Sequence, residues 1–225
     1  MQYIKYGITL KNLTEKDLEQ VRTWRNNPFV SRNHEYRNFI TPEEQQHWFR
    51  SIQNINNAYF VILYESSNVG VINAKNIEWE KHTFESGIFI PDRGVYHTFV
   101  PAIVSVMMTD LFFRVFNWEK IYAHILKTNL PVIKYNQMLG YQLCDGQKEV
   151  ENQLYELTLQ RFNQKAGKLL NAIRHLMGQD DTSVILIEPD DEGYPVVMHF
   201  ETQLIQGNPF LKKQTLTEAG RAYYF

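Results

Sequence analysis

The segment Asp92-Arg93-Gly94-Val95-Tyr96-His97-Thr98 has the makings of an anion site. It joins a β-branched, aromatic run to a long apolar run. A tight turn that opens a helix aims backbone N–H groups at one point, and the helix dipole adds positive potential there. Gly94 lets the backbone approach a ligand closely. Arg93 and His97 add side-chain charge. Upstream, alternation along FESGIFI places Glu85 on one strand face with Gly87 and Phe89, and Ser86 and Ile88 on the other. Glu85 is then either a working carboxylate or an exposed strand residue. His34 and Glu35 stand in the polar stretch SRNHEYRNF, and His47, beside Trp48, reads as structural. The histidines at 34, 47, 82, 97, 124, 175 and 199 fall at no metal-ligand spacing with one another or with Cys144, so no metal is expected. His199 reads as a lone packed histidine in a strand. Asp180-Asp181 and Asp190-Asp191-Glu192 read as solvated turn acids, too few for calcium.

These residues need a framework of 225 residues to position them. With 44% hydrophobic and 21% charged residues the chain can bury a real core. Lys and Arg number 23 against 25 Asp and Glu, a net charge of -2 that argues against a nucleic-acid partner. LTEAGR near the end resembles the end of a winged-helix wing, but no full helix-turn-helix precedes it. The lone Cys144 forms no internal disulfide, and the opening residues lack the apolar core of a signal peptide. The longest uncharged run, residues 94–109, contains Pro101 and is shorter than the roughly 20 residues that span a bilayer. A soluble cytoplasmic protein with no membrane association is the expectation.

The element order is readable. Residues 6–13 alternate as a strand. Thr14 and Asp17 form a capping-box pattern before a helix over about residues 15–25, which buries Leu18, Val21 and Trp24 and stops at Asn26-Asn27-Pro28. Thr41, Pro42, Glu43 and Glu44 open a second helix with Trp48, Phe49 and Ile52 on its apolar side. AYFVILYE, NVGVINAKNIEW and FESGIFI read as strands, residues 98–116 as a buried helix and IYAHILK as a strand. LPVIKYNQMLG reads as a helix ended by Gly140, followed by strands YQLC and QLYELTLQ. Beyond a main domain of residues 1–160, an extension over 161–225 reads as an amphipathic helix, FNQKAGKLLNAIRHLM, and a β-hairpin of VILIEP and PVVMHFETQLI. An isolated hairpin is marginal in water, so Val184, Leu186, Val196, Met198 and Phe200 need cover. Either the main sheet or a second copy supplies it, and a homodimer is the expectation.

FESGIFIPDRGVYHTF followed by IYAHILKTNLPVIKYNQMLGYQL, within this element order, resembles the GNAT family of N-acetyltransferases over about residues 6–160. WRNNPFV, ITPEEQQHWF and VGVINAKNIEW look like its subgroup acting on nucleotide-linked amino sugars, with the ribosomal-protein subgroup close. The resemblance implies an α+β fold, a mixed and mostly antiparallel twisted sheet flanked by helices. It implies acetyl-CoA as donor and a small primary amine, that of a nucleotide-linked amino sugar, as acceptor, the alternatives being a protein N-terminal acetyltransferase or an acyl-CoA-binding relative with weakened catalysis. The donor would lie along Phe89, Ile90, Arg93, Gly94, Val95, Tyr96, His97 and Thr98, with Asn129 and Asn136 beyond. Glu85 would be the base, with His34 or Glu35 at the acceptor as substitutes. Two positions depart from the family pattern. Tyr96 stands where a second small residue is usual, which preserves the turn only if its φ is negative. Asn136 stands where the family places a tyrosine acid, while Tyr135 points about 100° away on a helix. Asn136 would then hydrogen-bond the sulfur or the pantetheine chain.

Overall fold

The computed structural model describes residues 1–178, 182–206 and 208–225. The expected pair Asp180-Asp181 lies outside them. The first strands, β1 (Gln2–Lys5) and β2 (Ile8–Asn12), form a hairpin whose turn residues Tyr6 and Gly7 have φ of 53° and 68°. Two left-handed residues suit the twist of a two-residue hairpin. The strand expected over residues 6–13 therefore starts at Ile8. Thr14 and Asp17 close a capping box around a short 3-10 turn that leads into α1 (Leu18–Asn26). Then come α2 (Pro28–Ser31) and α3 (Pro42–Ser51), the latter opened by the Thr41–Glu44 capping box. Strands β3 (Ala58–Tyr64), β4 (Ser67–Glu78) and β5 (Thr83–Phe89) form an antiparallel meander.

A four-residue turn of helix, α4 (Arg93–Tyr96), precedes α5 (Val100–Asp110), which runs into a π-helical turn over Leu111–Val115. The chain continues through β6 (Lys120–Leu126), α6 (Leu130–Leu139), β7 (Gln142–Leu143) and β8 (Asn152–Thr158). Gly140 ends α6 with φ 106°. One sheet runs in the order β10-β11-β9-β1-β2-β3-β4-β5-β6-β8-β7, where β9 is Val184–Ile187, β10 Lys213–Thr217 and β11 Gly220–Tyr224. Among the described residues every neighbouring pair is antiparallel except β5 and β6.

Alternation along the central strands feeds two cores. Phe60, Ile62, Ile72 and Phe84 belong to one cluster with α5 residues Ile103, Val104 and Met107. Val61 and Val71, on the opposite face, pack with Leu18, Val21, Phe49 and Ile52. No helix of the described residues is long and apolar enough to cross a membrane.

The C-terminal region differs most from expectation. Its helical part is split into α7 (Leu159–Lys165) and α8 (Gly167–Met177). PVVMHFETQLI, expected as a strand, is the helix α9 (Pro195–Ile205). Val196, Met198 and Phe200 alternate like a strand, but Val196, Val197, Phe200 and Leu204 are the buried set, and their spacing is helical. Pro195 at the first helical position fits that reading. His199 accordingly sits on a helix, its ring 4.1 Å from Trp79. VILIEP does form a strand, yet it pairs with β1 and β11. Its inward residues are Ile185 and Ile187, whereas Val184 and Leu186 are half-buried. Val196, Val197, Phe200 and Leu204 are thus covered by the chain itself, with Phe200 against Phe112, Phe116 and Trp79. Asp191 is buried rather than solvated, because its carboxylate caps Glu188 and meets the N-terminal amine. Glu192 pairs with Arg221 at 2.9 Å.

Candidate active site

The parallel neighbours β5 and β6 pair only at Glu85 and Tyr122, although β5 continues to Phe89 and β6 to Leu126. Beyond that point the two strands present backbone groups to each other without a ladder between them. Such a split in a sheet accepts an extended, amide-bearing ligand, because each unpaired N–H and C=O wants a partner.

Glu85 stands where the split begins, on the face it shares with Gly87 and Phe89, as alternation requires. Its Oε2 accepts from Lys75 Nζ at 3.1 Å and meets His124 Nδ1 at 3.0 Å, while Oε1 accepts from Asn76 Nδ2 at 3.0 Å. Burial alone would raise the carboxyl pKa, but the hydrogen bonds from His124 and Asn76 and the charge of Lys75 outweigh it and hold the group below its ordinary value. An ionised carboxylate only accepts, so in the neutral imidazole of His124 the proton sits on Nδ1 and Nε2 is left as the basic atom. His124 was not among the expected site residues. Its signal was present in IYAHILK, where a histidine stands between Ala123 and Ile125 on the strand that follows the buried helix. Only the sheet register brings it to Glu85.

His124 also lines a cleft of about 450 Å³ together with Glu35, Arg37, Leu126, Val150, Glu151 and Asn152. Asn152 Nδ2 donates to Glu35 Oε2 at 3.1 Å and ties the loop before α3 to β8. His34, one residue away, turns elsewhere. Its ring meets Phe89 edge-on at 5.8 Å, and burial, with the charges of Arg25 and Lys75, pushes its pKa down to about 3. His34 is therefore a neutral wall residue and a poor base. Arg25 lies over Phe89 at 5.9 Å, and among the described residues its buried Nη1 has no hydrogen-bond partner. Tyr59 packs against Trp48 at 5.0 Å, and burial pushes its hydroxyl up to about 12.

The turn at α4 differs in detail from the expected cradle. Asp92 caps it, its Oδ1 accepting from Val95 N at 2.9 Å. Tyr96 N donates to Asp92 O, His97 N to Arg93 O and Thr98 N to Val95 O. Only the N–H groups of Arg93 and Gly94, at the first two helical positions, lack an intrahelical acceptor. The turn has closed as a helical turn and satisfied its own donors, so four of the expected N–H groups are engaged. Tyr96 keeps a negative φ, as the departure from the family pattern required, and its ring meets Phe29 edge-on at 5.2 Å. Ile90 is a core residue whose side chain faces Gly70, so only its backbone remains for a ligand.

On α6, Asn136 Nδ2 donates to Val132 O at 2.9 Å, back-bonding its own helix. Tyr135 donates to Ala102 O at 3.1 Å, deep against α5, and burial raises its hydroxyl pKa. No phenol is presented at the position of the usual acid. Asn129 stands at the junction of β6 and α6 without capping the helix through its side chain.

Residues 8–142 match the family model described as an acetyltransferase (GNAT) domain. A curated relative, the uncharacterized protein MJ1062 of Methanocaldococcus jannaschii, is 25% identical over 160 residues, covering 68% of this chain and 31% of its own length. The chain thus spans about a third of that relative. The spermidine N-acetyltransferase of Vibrio cholerae, solved with CoA and spermine, superposes with a TM-score of 0.58 at 17% identity, over 71% of this chain and 99% of that one. The aminoglycoside acetyltransferase AAC(6')-Ib, solved with coenzyme A, superposes with a TM-score of 0.60 at 14% identity, again over 71% and 99%. With a family model covering more than half of its length, a split between its two parallel strands and a carboxylate–histidine pair at that split, the chain belongs to the GNAT family of acetyltransferases.

Proposed function

We propose that the protein transfers an acetyl group from acetyl-CoA to the primary amine of a nucleotide-linked amino sugar, with His124 as the base that Glu85 orients. The observation that carries the reading is the Glu85–His124 contact at the point where β5 and β6 part. The split fits the pantetheine arm, whose amides pair with the loose strand edges, and Gly87 keeps β5 free of a side chain there. Acetyl-CoA supplies the thioester carbonyl. His124 Nε2 takes the proton from the attacking amine, and the imidazolium returns it to the departing thiolate, so one residue serves both proton transfers. A thiolate with a pKa of about 8.5 in its free form is a fair leaving group and asks little of an acid. Asn136 and Tyr135, both engaged within the fold, need not take part. Positioning carries most of the rate in acyl transfer, and the base adds about 10²–10⁴-fold.

The acceptor is inferred from the side chains gathered around Phe89. The buried Nη1 of Arg25, without a hydrogen-bond partner among the described residues and beside Phe89, suits an acceptor with an anionic part, and Trp48 and Tyr59 add aromatic surface. The folds it resembles belong to proteins named for amine acceptors of contrasting kinds, a polyamine and an aminoglycoside, and the guanidinium of Arg25 beside Phe89 favours the sugar type here.

Turnover with acetyl-CoA is the test, across uridine-diphosphate amino sugars, spermidine and an N-terminal peptide. Saturable acetylation of a sugar nucleotide alone is expected. His124→Gln should lower kcat about 10²-fold or more with little change in the KM for acetyl-CoA. Preferred acetylation of spermidine or of the peptide refutes the acceptor, and wild-type turnover in His124→Gln refutes the base.

A further inference from the structure

Among the described residues the sheet ends in two edges, β7 and β10. β7 is two residues long. β10 runs over five, Lys213–Thr217, and pairs on one side with β11. On its other side no strand is present among the described residues, so alternate residues turn N–H and C=O groups outward without a ladder. Edge strands are commonly blunted by a central charge, a proline or a bulge. β10 carries no proline, and its register with β11 is unbroken. Its one charged residue, Lys213, is its first, and the ammonium lies 5.8 Å over the Tyr224 ring of β11. Gln214, Thr215, Leu216 and Thr217 form an uncharged stretch, and Leu216 is 84% exposed.

This edge is complementary to itself. In an antiparallel pair centred on Thr215, Lys212 of one copy stands opposite Glu218 of the other, and Gln214 opposite Leu216. The two-fold axis repeats each pair, so two Lys–Glu contacts flank it. The two Leu216 side chains share one face and meet diagonally across the seam. Moving the centre to Gln214 or Leu216 removes the Lys–Glu opposition, and a centre on Lys213 sets like charges together. Lys212 and Glu218 are both exposed, and neither makes an ion pair among the described residues. A two-residue β7 offers β10 no matching edge, so pairing closes as a two-fold dimer rather than extending head to tail.

We infer that β10 is a homodimer surface, on which a second copy of the chain pairs antiparallel about Thr215 and joins the two sheets. β10 lies beyond residues 8–142, which match the family model, and it is a different segment from the hairpin expected to need cover. Val196, Val197, Phe200 and Leu204 are covered within the chain, and the edge left open is β10. The inference is independent of the acceptor and of the base.

One strand pair is a small interface beside the roughly 1,200–2,000 Å² of stable complexes, so the dimer should dissociate on dilution. Analytical ultracentrifugation of the full chain, from low to high micromolar concentration, tests it. A reversible monomer–dimer equilibrium is expected. Lys212→Glu and Glu218→Lys each set like charges opposite one another and should weaken the dimer about tenfold. The double variant Lys212→Glu with Glu218→Lys restores the opposition and should dimerise nearly as tightly as wild type. These are exposed positions, and the thermal midpoint verifies that the fold is intact. Wild-type protein that stays monomeric throughout overturns the inference and leaves the edge to a strand of another protein. Dimers of wild-type strength in both single variants overturn it, and so does a double variant as weak as the single ones. Species larger than a dimer overturn the two-fold closure.

Discussion

His34 shows how a side chain of apparent catalytic type is turned into a wall by its surroundings. Buried against Phe89 and facing the charges of Arg25 and Lys75, it stays neutral in the folded state down to about pH 3, while in the unfolded chain it protonates near 6.5. The unfolded state therefore binds more protons between those values, and the stability His34 contributes is lost as pH falls from 6.5 towards 3. His199, also lowered by burial, shares part of that window. His34→Gln should flatten the decline of the urea midpoint between pH 6.5 and 5, and an unchanged slope would contradict the burial argument. Glu85 runs the other way in charge. Its folded pKa is depressed, so its contribution is present above the ordinary carboxylate value and disappears only as pH falls through the lower folded one. Glu85 itself was legible from strand alternation. His124 was not, because its meaning depends on a neighbour 39 residues away in sequence.

The helices that frame the donor side are held by particular residues at their ends and faces. Gly140 closes α6 at φ 106°, and a Cβ there would lie 2.8 Å from Arg161 O. Gly140→Ala should cost about 2–3 kcal/mol in chemical unfolding, combining backbone strain with that clash. Tyr135 ties α6 to α5 through Ala102. Tyr135→Phe removes one buried hydrogen bond, worth about 1 kcal/mol, and should leave the pH–rate profile in place. A lost basic limb in that variant would instead assign Tyr135 as the acid. The capping boxes at Thr14 and Thr41 and the glycine stop at Gly140 were readable in the sequence because each is a local contract between residues three or four apart. The closure of the α4 turn on Asp92 is equally local, but a Gly-centred turn is compatible with open and closed arrangements alike, and the pattern does not choose between them.

At the scale of the molecule, one continuous sheet carries both the acetyltransferase body and the C-terminal extension through the β9–β1 pairing. Phe200 is fully buried against Phe112, Phe116 and Trp79, at the seam between them. Phe200→Ala should lower stability by about 3–5 kcal/mol. It should do so in a single thermal transition followed equally by tryptophan fluorescence and by far-ultraviolet circular dichroism. Two separated transitions would show that the extension unfolds independently. Glu201 reinforces the seam's own layer through Arg221 Nη2 at 3.0 Å and Tyr223 Oη at 2.6 Å. Burial would raise its carboxyl pKa, and the bonds from Arg221 and Tyr223 more than reverse that. Acid should therefore loosen this layer only below the ordinary carboxylate range.

The sequence by itself determined the order of the main elements, the helix caps, the face on which Glu85 lies and the family pattern with its two departures. Each of these is written in spacings of two to four residues, the periods of strand and helix, or in short motifs. Tertiary structure decided the rest. It made residues 195–205 the helix α9 rather than an alternating strand, its buried Val196, Val197, Phe200 and Leu204 at helical spacing joining the main core. It placed His124 beside Glu85 and parted β5 from β6, since strand register is set by pairing between distant segments. It also brought Arg32 and Arg93 onto the ring of Phe29, a meeting of segments 61 residues apart that no local period records.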